Sequence, residues 1–262
     1  MRKSASNPSG WLKEMHYIDA FAGSVRPWDK ESGEHIDGSP LVAIKTIPSF
    51  DRYVFIEKSK KRFCSNIKPL KTQFPEKKIE VFCGDCNDII CDDVAKRYRP
   101  RNGVRGFAFL DPYGLNLRWE TVESFGKTES FDVFINFSVM GVYRQLGSRP
   151  DKMINREKIN EMMGSDRWCE EVYKESRQCP LPGLAPVVER ANHDLTERLA
   201  SFYINQLKTC FKYVSRPIVM KGATNSPLYA LILASQVPLA VSKMHEIFDR
   251  QERRKRKVVR LD

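Results

Sequence analysis

The chain has 262 residues, of which 41% are hydrophobic, so it is long enough for one large α/β domain with a sizeable core. Its formal charge of +11 favours an anionic partner, and nucleic acid is the commonest such partner. The seven scattered cysteines exclude a small disulfide-stapled domain, and the polar first ten residues do not resemble a signal peptide. Because the longest apolar stretch, residues 228–241, is interrupted and too short to span a bilayer, we expect a cytoplasmic protein with no membrane partner.

The first half of the chain alternates apolar runs with amphipathic segments. A start signal for a helix stands at Ser39-Pro40, with Ser39 as the expected N-cap, and Pro69 predicts a kink or stop in the helix that follows the second strand. Strands that alternate with helices favour a parallel sheet with helices on both faces. The five expected strands are residues 15–21, 52–57, 79–82, 106–111 and 131–137.

The alternation of predicted strands and helices ends after residue 137. Residues 138–185 are rich in Met, Arg and Lys and are expected to be a helical insertion or lid, with weak helical patterns around Lys158 and Trp168. An amphipathic helix is predicted from Val188 to Phe202. Two final strands, residues 213–220 and 228–234, are predicted to be antiparallel, and they precede a terminal helix and a basic tail at residues 250–262.

Four successive predicted strands are each followed by, or end in, an acidic residue. The acids are Asp19, Glu57, Asp85 and Asp111. The carboxyl ends of parallel strands meet at one edge of a sheet, so we expect the four carboxylates to line that edge. The alternative for each acid is a helix N-cap, since Asp often occupies that position.

These acids match the needs of a cofactor that contains adenosine. Glu57 is placed to accept the two ribose hydroxyls, Asp85 to meet the adenine amino group, and Asp19 with Gly23 to face the charged tail. The turn after the first strand lacks a G-x-G-x-x-G run, which disfavours an NAD-dependent oxidoreductase and favours S-adenosylmethionine (SAM). The candidate cofactor residues are Asp19, Phe21, Ala22, Gly23, Ser39, Glu57, Asp85 and Cys86.

The motif Asp111-Pro112-Tyr113-Gly114 follows the fourth strand. It resembles the Asp/Asn-Pro-Pro-aromatic signature of amino-methyltransferases, in which the acid and a prolyl carbonyl hold an exocyclic amine and the aromatic ring stacks on a flipped base. The alternative is an ordinary turn at a strand end. The candidate catalytic residues are Asp111, Pro112, Tyr113 and Asn136, the last at the end of the fifth strand, where it could instead bond to backbone.

The order of these motifs resembles the three-Cys-motif partner family. The resemblance rests on residues 17–23, 38–41, 55–57, 84–85, 109–114, 135–137 and 228–235, and it covers most of the chain. It implies a single methyltransferase-like domain over residues 1–262 with a Rossmann-like, three-layer, mostly parallel seven-stranded sheet and an antiparallel C-terminal strand. It also implies a neighbouring cysteine-motif protein as a possible partner. One departure is Ser24-Val25, where the family usually has Pro-Gly.

A metal site is not expected. Cys83, Cys86 and Cys91 form C-x2-C-x4-C, but a fourth ligand is distant, and the four histidines form no spaced pair. The two hypotheses are therefore a SAM-dependent methyltransferase acting on a base amine in RNA or DNA, and a methyltransferase-like module without activity that binds a cysteine-motif protein or nucleic acid. The sequence does not determine the oligomeric state.

Overall fold

The structure is a computed structural model, and it describes residues 12–29, 32–100, 102–175, 188–190, 194–222 and 224–258. The chain forms two compact units. The first consists of Met1–Asp111 and Thr121–Phe134, and the second of Pro112–Glu120 and Ile135–Asp262. No helix in the described ranges combines the length and the apolar content needed to cross a membrane.

Strands and helices alternate through the first unit and continue into the second. The strands are β1 (Glu14–Asp19), β2 (Trp28–Asp29), β3 (Glu34–His35), β4 (Arg52–Glu57), β5 (Ile79–Cys83), β6 (Val104–Leu110), β7 (Phe131–Phe137), β8 (Tyr173–Glu175), β9 (Val188–Arg190), β10 (Tyr213–Val214), β11 (Ile218–Lys221) and β12 (Pro227–Ser235).

Most helices are short. The α-helices are α1 (Ser39–Lys45), α2 (Lys60–Arg62), α3 (Leu70–Gln73), α4 (Cys86–Ile89), α5 (Trp119–Thr128), α6 (Val139–Tyr143), α7 (Arg156–Met163), α8 (Trp168–Val172), α9 (Leu195–Cys210) and α10 (Pro238–Val258). The described residues also form two π-helical segments (Phe63–Ile67, Ile90–Val94) and two 3-10 segments (Ala95–Arg97, Pro150–Lys152).

The first unit is built on strands in the order β7-β6-β1-β4-β5, with β7 contributing its first four residues, and β6, β1, β4 and β5 are parallel. β1 lies between β4 and β6 and is parallel to both, so it is the central strand and is buried on both faces. Asp19 is in register with Phe55 of β4 and Phe109 of β6. Residues two positions apart on a strand share a face, so Glu57 lies on the side of the sheet that Asp19 faces, and Asp111 directly follows the end of β6.

An aromatic cluster fills that face below the acids. Tyr17 packs against the rings of Phe55 and Phe107, at centroid distances of 6.2 Å in both cases, and α1 covers them with Leu41 and Ile44. Close packing of rings and aliphatic side chains fixes the strand positions to within a fraction of a side chain. The sheet therefore presents its strand-end acids from a rigid, apolar base.

The second unit contains the antiparallel strands. β12 pairs with β10 and with β11. Ser215 lies between β10 and β11: its N–H donates to the carbonyl of Leu233 (2.8 Å), while its hydroxyl accepts from the Leu233 N–H (2.9 Å). Between β10 and β11, the Ser215 hydroxyl thus takes the place of a backbone carbonyl as the acceptor for β12. In the same unit, buried Tyr203 of α9 stacks on Phe137 at 4.6 Å.

The fold is mixed α/β with a mostly parallel central sheet, helices and an antiparallel strand, as in Rossmann-like folds. This confirms the predicted fold class. The single-domain assignment over residues 1–262 and the helical insertion at 138–185 stay predictions; residues 176–185 of that insertion lie outside the described residues. So do residues 259–262 of the predicted basic tail, whereas the backbone of residues 250–258 continues α10.

Several predicted elements need correction. The first strand ends at Asp19 rather than at residue 21, because the Asp19 carboxylate accepts the Phe21 N–H and turns the chain. Gly38, not Ser39, is the N-cap of α1. The helix predicted from Val188 begins at Leu195 instead, since Val188–Arg190 pairs with β8 as an antiparallel strand. Helix α5 had no counterpart in the sequence prediction.

Candidate cofactor site

Asp19 is the last residue of the central strand, and its side chain is fully buried. Its Oδ1 accepts the Phe21 N–H at 3.2 Å, while its Oδ2 accepts no hydrogen bond from the described residues. Burial raises the pKa of Asp19 to about 7 against the opposing hydrogen-bond effects of Ser39 and the Phe21 N–H, and the charges of Asp111 and Glu57 add smaller increases. A buried carboxylate with an orphaned oxygen is matched to a positively charged or hydrogen-bond-donating ligand group.

Glu57, the last residue of β4, is also buried, but its carboxylate is satisfied. Its Oε2 accepts the N–H of Gly23 at 3.1 Å. Its Oε1 accepts the N–H of Ser59 at 2.6 Å and a guanidinium N–H of Arg62 at 3.0 Å. Both oxygens of Glu57 therefore accept hydrogen bonds, whereas only one oxygen of Asp19 does so among the described residues.

The loop after β1 is held to the neighbouring strands by backbone hydrogen bonds. The Ala20 N–H donates to the carbonyl of Phe109 (3.1 Å), and the Ala22 N–H donates to that of Ile56 (2.9 Å). Gly23 then adopts a φ of +61°, in the left-handed region that favours glycine, and this turn points its N–H at Glu57. Phe21 and Ala22 shape this loop through their backbone.

Gly38 holds the far end of the same loop. A Cβ atom on Gly38 would lie 2.2 Å from the carbonyl oxygen of Ser24, and its N–H donates to the carbonyl of Val25 at 2.8 Å. Ser24 and Val25 therefore lie against the residue that precedes α1, whose first residue, Ser39, acts on Asp19.

Asp85 caps α4, which was the alternative to its role in cofactor binding. Its Oδ1 accepts the N–H of Asn87 at 3.0 Å and the side-chain amide of Asn87 at 2.8 Å, and its Oδ2 accepts from Lys58 Nζ at 2.8 Å. Burial opposes ionisation, but Lys58 and Asn87 outweigh it and lower the pKa of Asp85. Cys86 is buried in the first turn of α4. The His, Cys, Asp and Glu residues that the structure describes form no group of three able to hold a metal ion.

The candidate catalytic residues directly follow β6 or lie in β7. Asp111 is exposed directly after β6, and its charge acts on Asp19. In the second unit, Pro112 is buried, the Tyr113 side chain is 87% exposed, and Asn136 is partly buried in β7. An aromatic ring this exposed makes little contribution to the core and is available to stack on a planar ligand.

The structure places Glu57 and Asp111 of the predicted set near enough to Asp19 for their charges to act on it, and Gly23 joins them by its hydrogen bond to Glu57. The sequence prediction missed Ser59, Lys58 and Arg62, which satisfy Glu57 and Asp85. These three residues lie within five positions of Glu57 in the sequence. No sequence pattern, however, identifies which of the neighbouring exposed cations forms an ion pair with an acid at a strand end.

Comparisons with known proteins give distant structural likenesses. The putative S-adenosylmethionine-dependent methyltransferase from Listeria monocytogenes is 13% identical, with a TM-score of 0.40 over 87% of this chain and 93% of that one. Spermidine synthase in complex with the transition state analogue AdoDATO is 9% identical, with a TM-score of 0.41 over 86% of this chain and 53% of that one, so the chain spans about half of its length. A conserved hypothetical protein from Streptococcus pyogenes is 16% identical, with a TM-score of 0.32 over 53% of this chain and 76% of that one.

No family model and no curated protein matches the chain. The resemblance to the three-Cys-motif partner family therefore stays a prediction. The structural likenesses are too distant to transfer a residue role, and the roles of Asp19, Glu57 and Asp111 rest on the geometry of this chain.

Proposed function

We propose that this chain binds SAM and transfers its methyl group to an exocyclic amine of a base in nucleic acid. The observation that carries the proposal is the meeting of Asp19, Glu57 and Asp111 at the carboxyl ends of neighbouring parallel strands, which is where α/β proteins bind nucleotide-like cofactors. The loop through Gly23 reaches Glu57 without a pyrophosphate-binding glycine run, which suits a cofactor that has no phosphate.

The residues present fit the groups of SAM. Asp19 has a buried oxygen that accepts no hydrogen bond within the described part of the chain, and a cationic group of the ligand would favour its charged form. Glu57 faces the Gly23 loop and would accept the ribose hydroxyls. Asp85, at the start of α4, would accept from the adenine amino group with the oxygen that now accepts from Lys58.

Bound SAM would supply an electrophilic methyl group, and the chain's own task would be to hold the accepting amine. In this proposal the Asp111 carboxylate and the Pro112 carbonyl accept hydrogen bonds from that amine, which orients its lone pair. The exposed ring of Tyr113 stacks on the extruded base. The net charge of +11 supports a polyanionic substrate, because basic proteins bind phosphate backbones with little dependence on sequence.

Calorimetry with SAM and S-adenosylhomocysteine tests the cofactor assignment. We expect the wild type to bind both compounds and Glu57→Ala to lose binding. Glu76→Ala, which removes an exposed acid of the same unit, is the matched control and should bind as the wild type does. A folded wild type that binds neither compound would overturn the proposal.

A second candidate function is a methyltransferase-like module that binds a cysteine-motif protein or nucleic acid without catalysis. The observation that favours it is the engagement of two cofactor acids by cations of the chain itself, Arg62 on Glu57 and Lys58 on Asp85. Transfer of labelled methyl groups from SAM to RNA and DNA separates the two functions. Transfer that is lost in Asp111→Ala supports the enzyme, whereas stable co-purification of a partner with no transfer supports the module.

A further inference from the structure

The hydrogen-bonding capacity of Glu57 is nearly filled within the chain. A carboxylate accepts about four hydrogen bonds, two at each oxygen. Oε1 already accepts two, from the Ser59 N–H and from Arg62, and Oε2 accepts one, from the Gly23 N–H. A ribose diol that binds with one hydroxyl on each oxygen finds a vacant position on Oε2 but none on Oε1.

The donors of Glu57 differ in their freedom to move. Those of Ser59 and Gly23 are backbone groups fixed by the ends of strands β4 and β1. The Arg62 side chain is 56% exposed, so it can turn into solvent and be hydrated there. Its backbone does not need the contact, because the Ser59 hydroxyl accepts the Arg62 N–H and caps α2. Arg62 is therefore the donor that leaves when a hydroxyl arrives at Oε1.

We infer that Arg62 is a specificity-determining residue that competes with ligand hydroxyl groups for Glu57. This inference rests on the proposed function and adds a residue to its site. Because the guanidinium must be displaced from Oε1, Arg62 weakens the binding of ligands that carry a 2′,3′-diol and leaves ligands without those hydroxyls unaffected. The Glu57–Arg62 pair thus sets the affinity of the site for ribose.

The test compares adenosine with 2′,3′-dideoxyadenosine on the full chain by calorimetry, with SAM as a third ligand. Arg62→Ala should bind adenosine about two- to fivefold more tightly than the wild type, as expected for loss of a partly exposed ion pair. Its affinity for dideoxyadenosine should not change. Lys61→Ala removes the same charge from the neighbouring exposed position, without the contact to Glu57, and is the matched control.

The dependence of adenosine affinity on salt concentration gives a second test, which needs no substitution. Adenosine is neutral, so a rise in ionic strength acts mainly on the exposed ion pair and should tighten adenosine binding to the wild type. Arg62→Ala should lack this salt dependence. If Arg62→Ala fails to fold, Arg62→Gln and the salt series on the wild type carry the test.

The outcomes separate this inference from the proposed function. Tighter binding of adenosine alone supports competition by Arg62. The inference is overturned if Arg62→Ala binds adenosine no more tightly than the wild type, or if it binds both nucleosides more tightly by the same factor. In either case, the assignment of the site to SAM stands as long as the protein binds SAM. If neither protein binds SAM or adenosine, the proposed function and the inference with it are overturned.

Discussion

Replacing Asp19 by Asn is expected to stabilise the protein, even though Asp19 belongs to the candidate site. The carboxylate is fully buried, one of its oxygens has no hydrogen-bond partner among the described residues, and the charges of Glu57 and Asp111 oppose its ionisation. Asn has nearly the same shape, and its Oδ1 can still accept the Phe21 N–H. The substitution therefore removes an unfavourable charge without creating a cavity.

The magnitude follows from the pKa of Asp19, which burial raises from an ordinary value of 3.8 to about 7. The folded state then holds a proton that the unfolded state releases above pH ~4, so the wild type loses stability as the pH rises from ~4 to ~7. That loss is ~1.4 kcal/mol per pH unit and totals about 4 kcal/mol above pH 7. Asn carries no such proton, so the advantage of Asp19→Asn should be small at pH 4 and reach up to about 4 kcal/mol at pH 8.

Urea denaturation of both proteins between pH 4 and pH 8 measures this difference in the free energy of unfolding. Asp92→Asn, which changes an exposed acid of the same unit, should differ from the wild type by less than ~0.5 kcal/mol throughout. A difference between wild type and Asp19→Asn that does not change with pH, or a variant less stable than the wild type at pH 8, would refute the reasoning. The former would mean that Asp19 has an ordinary pKa in the folded protein.

Three further changes test other parts of the structure. Gly38→Ala should cost ~2–4 kcal/mol of unfolding free energy in urea, because its Cβ would lie 2.2 Å from a backbone oxygen, whereas Gly222→Ala, with its nearest contact at 3.5 Å, should cost less than ~1 kcal/mol. Burial lowers the pKa of His16 despite its bond to Glu14, so acidification from pH 7 to pH 5 should reduce the stability of the wild type relative to His16→Gln; a constant difference would contradict this. Tyr113→Ala should leave the melting temperature unchanged and abolish methyl transfer to nucleic acid, while retained transfer would remove Tyr113 from the site.

The sequence predicts the strands well because their environment leaves a strong signal. β4 and β7 have the predicted bounds, since strands buried on both faces appear as continuous apolar runs. The break near Pro69 is confirmed, as the π-helical segment ends at Ile67 and α3 begins at Leu70. Helix α9 was placed too early because the apolar Val188 fits a helical period and equally fits a short strand.

The acids of the site were predictable, but their surroundings were not. The alternation of strands and helices predicts a parallel sheet whose strands end at one edge, and the observed register brings Asp19, Glu57 and Asp111 there. Which donors satisfy each acid depends on long side chains such as Arg62 and on backbone turns such as Gly23, and neither leaves a periodic pattern in the sequence. The sequence therefore does not reveal that Glu57 is supplied with donors while one Asp19 oxygen has none among the described residues.

That contrast bears on the chemistry of the ligand. Glu57 already accepts three hydrogen bonds from the chain, so a diol gains the vacant position on Oε2 but reaches Oε1 only by replacing Arg62, and neutral hydroxyls can do both without burying a further charge. Asp19 gains more from a positive group than from a neutral one, because such a group offsets the burial and the neighbouring acids that raise its pKa. A ligand that carries a diol and a cation meets both conditions, and SAM is such a ligand. Binding of SAM should consequently release a proton from Asp19, so the affinity of the protein for SAM should rise between pH 6 and pH 8. Adenosine lacks the cation, and its affinity should show no such rise. Equal pH dependence of the two ligands would contradict the assignment of Asp19 to the cationic group.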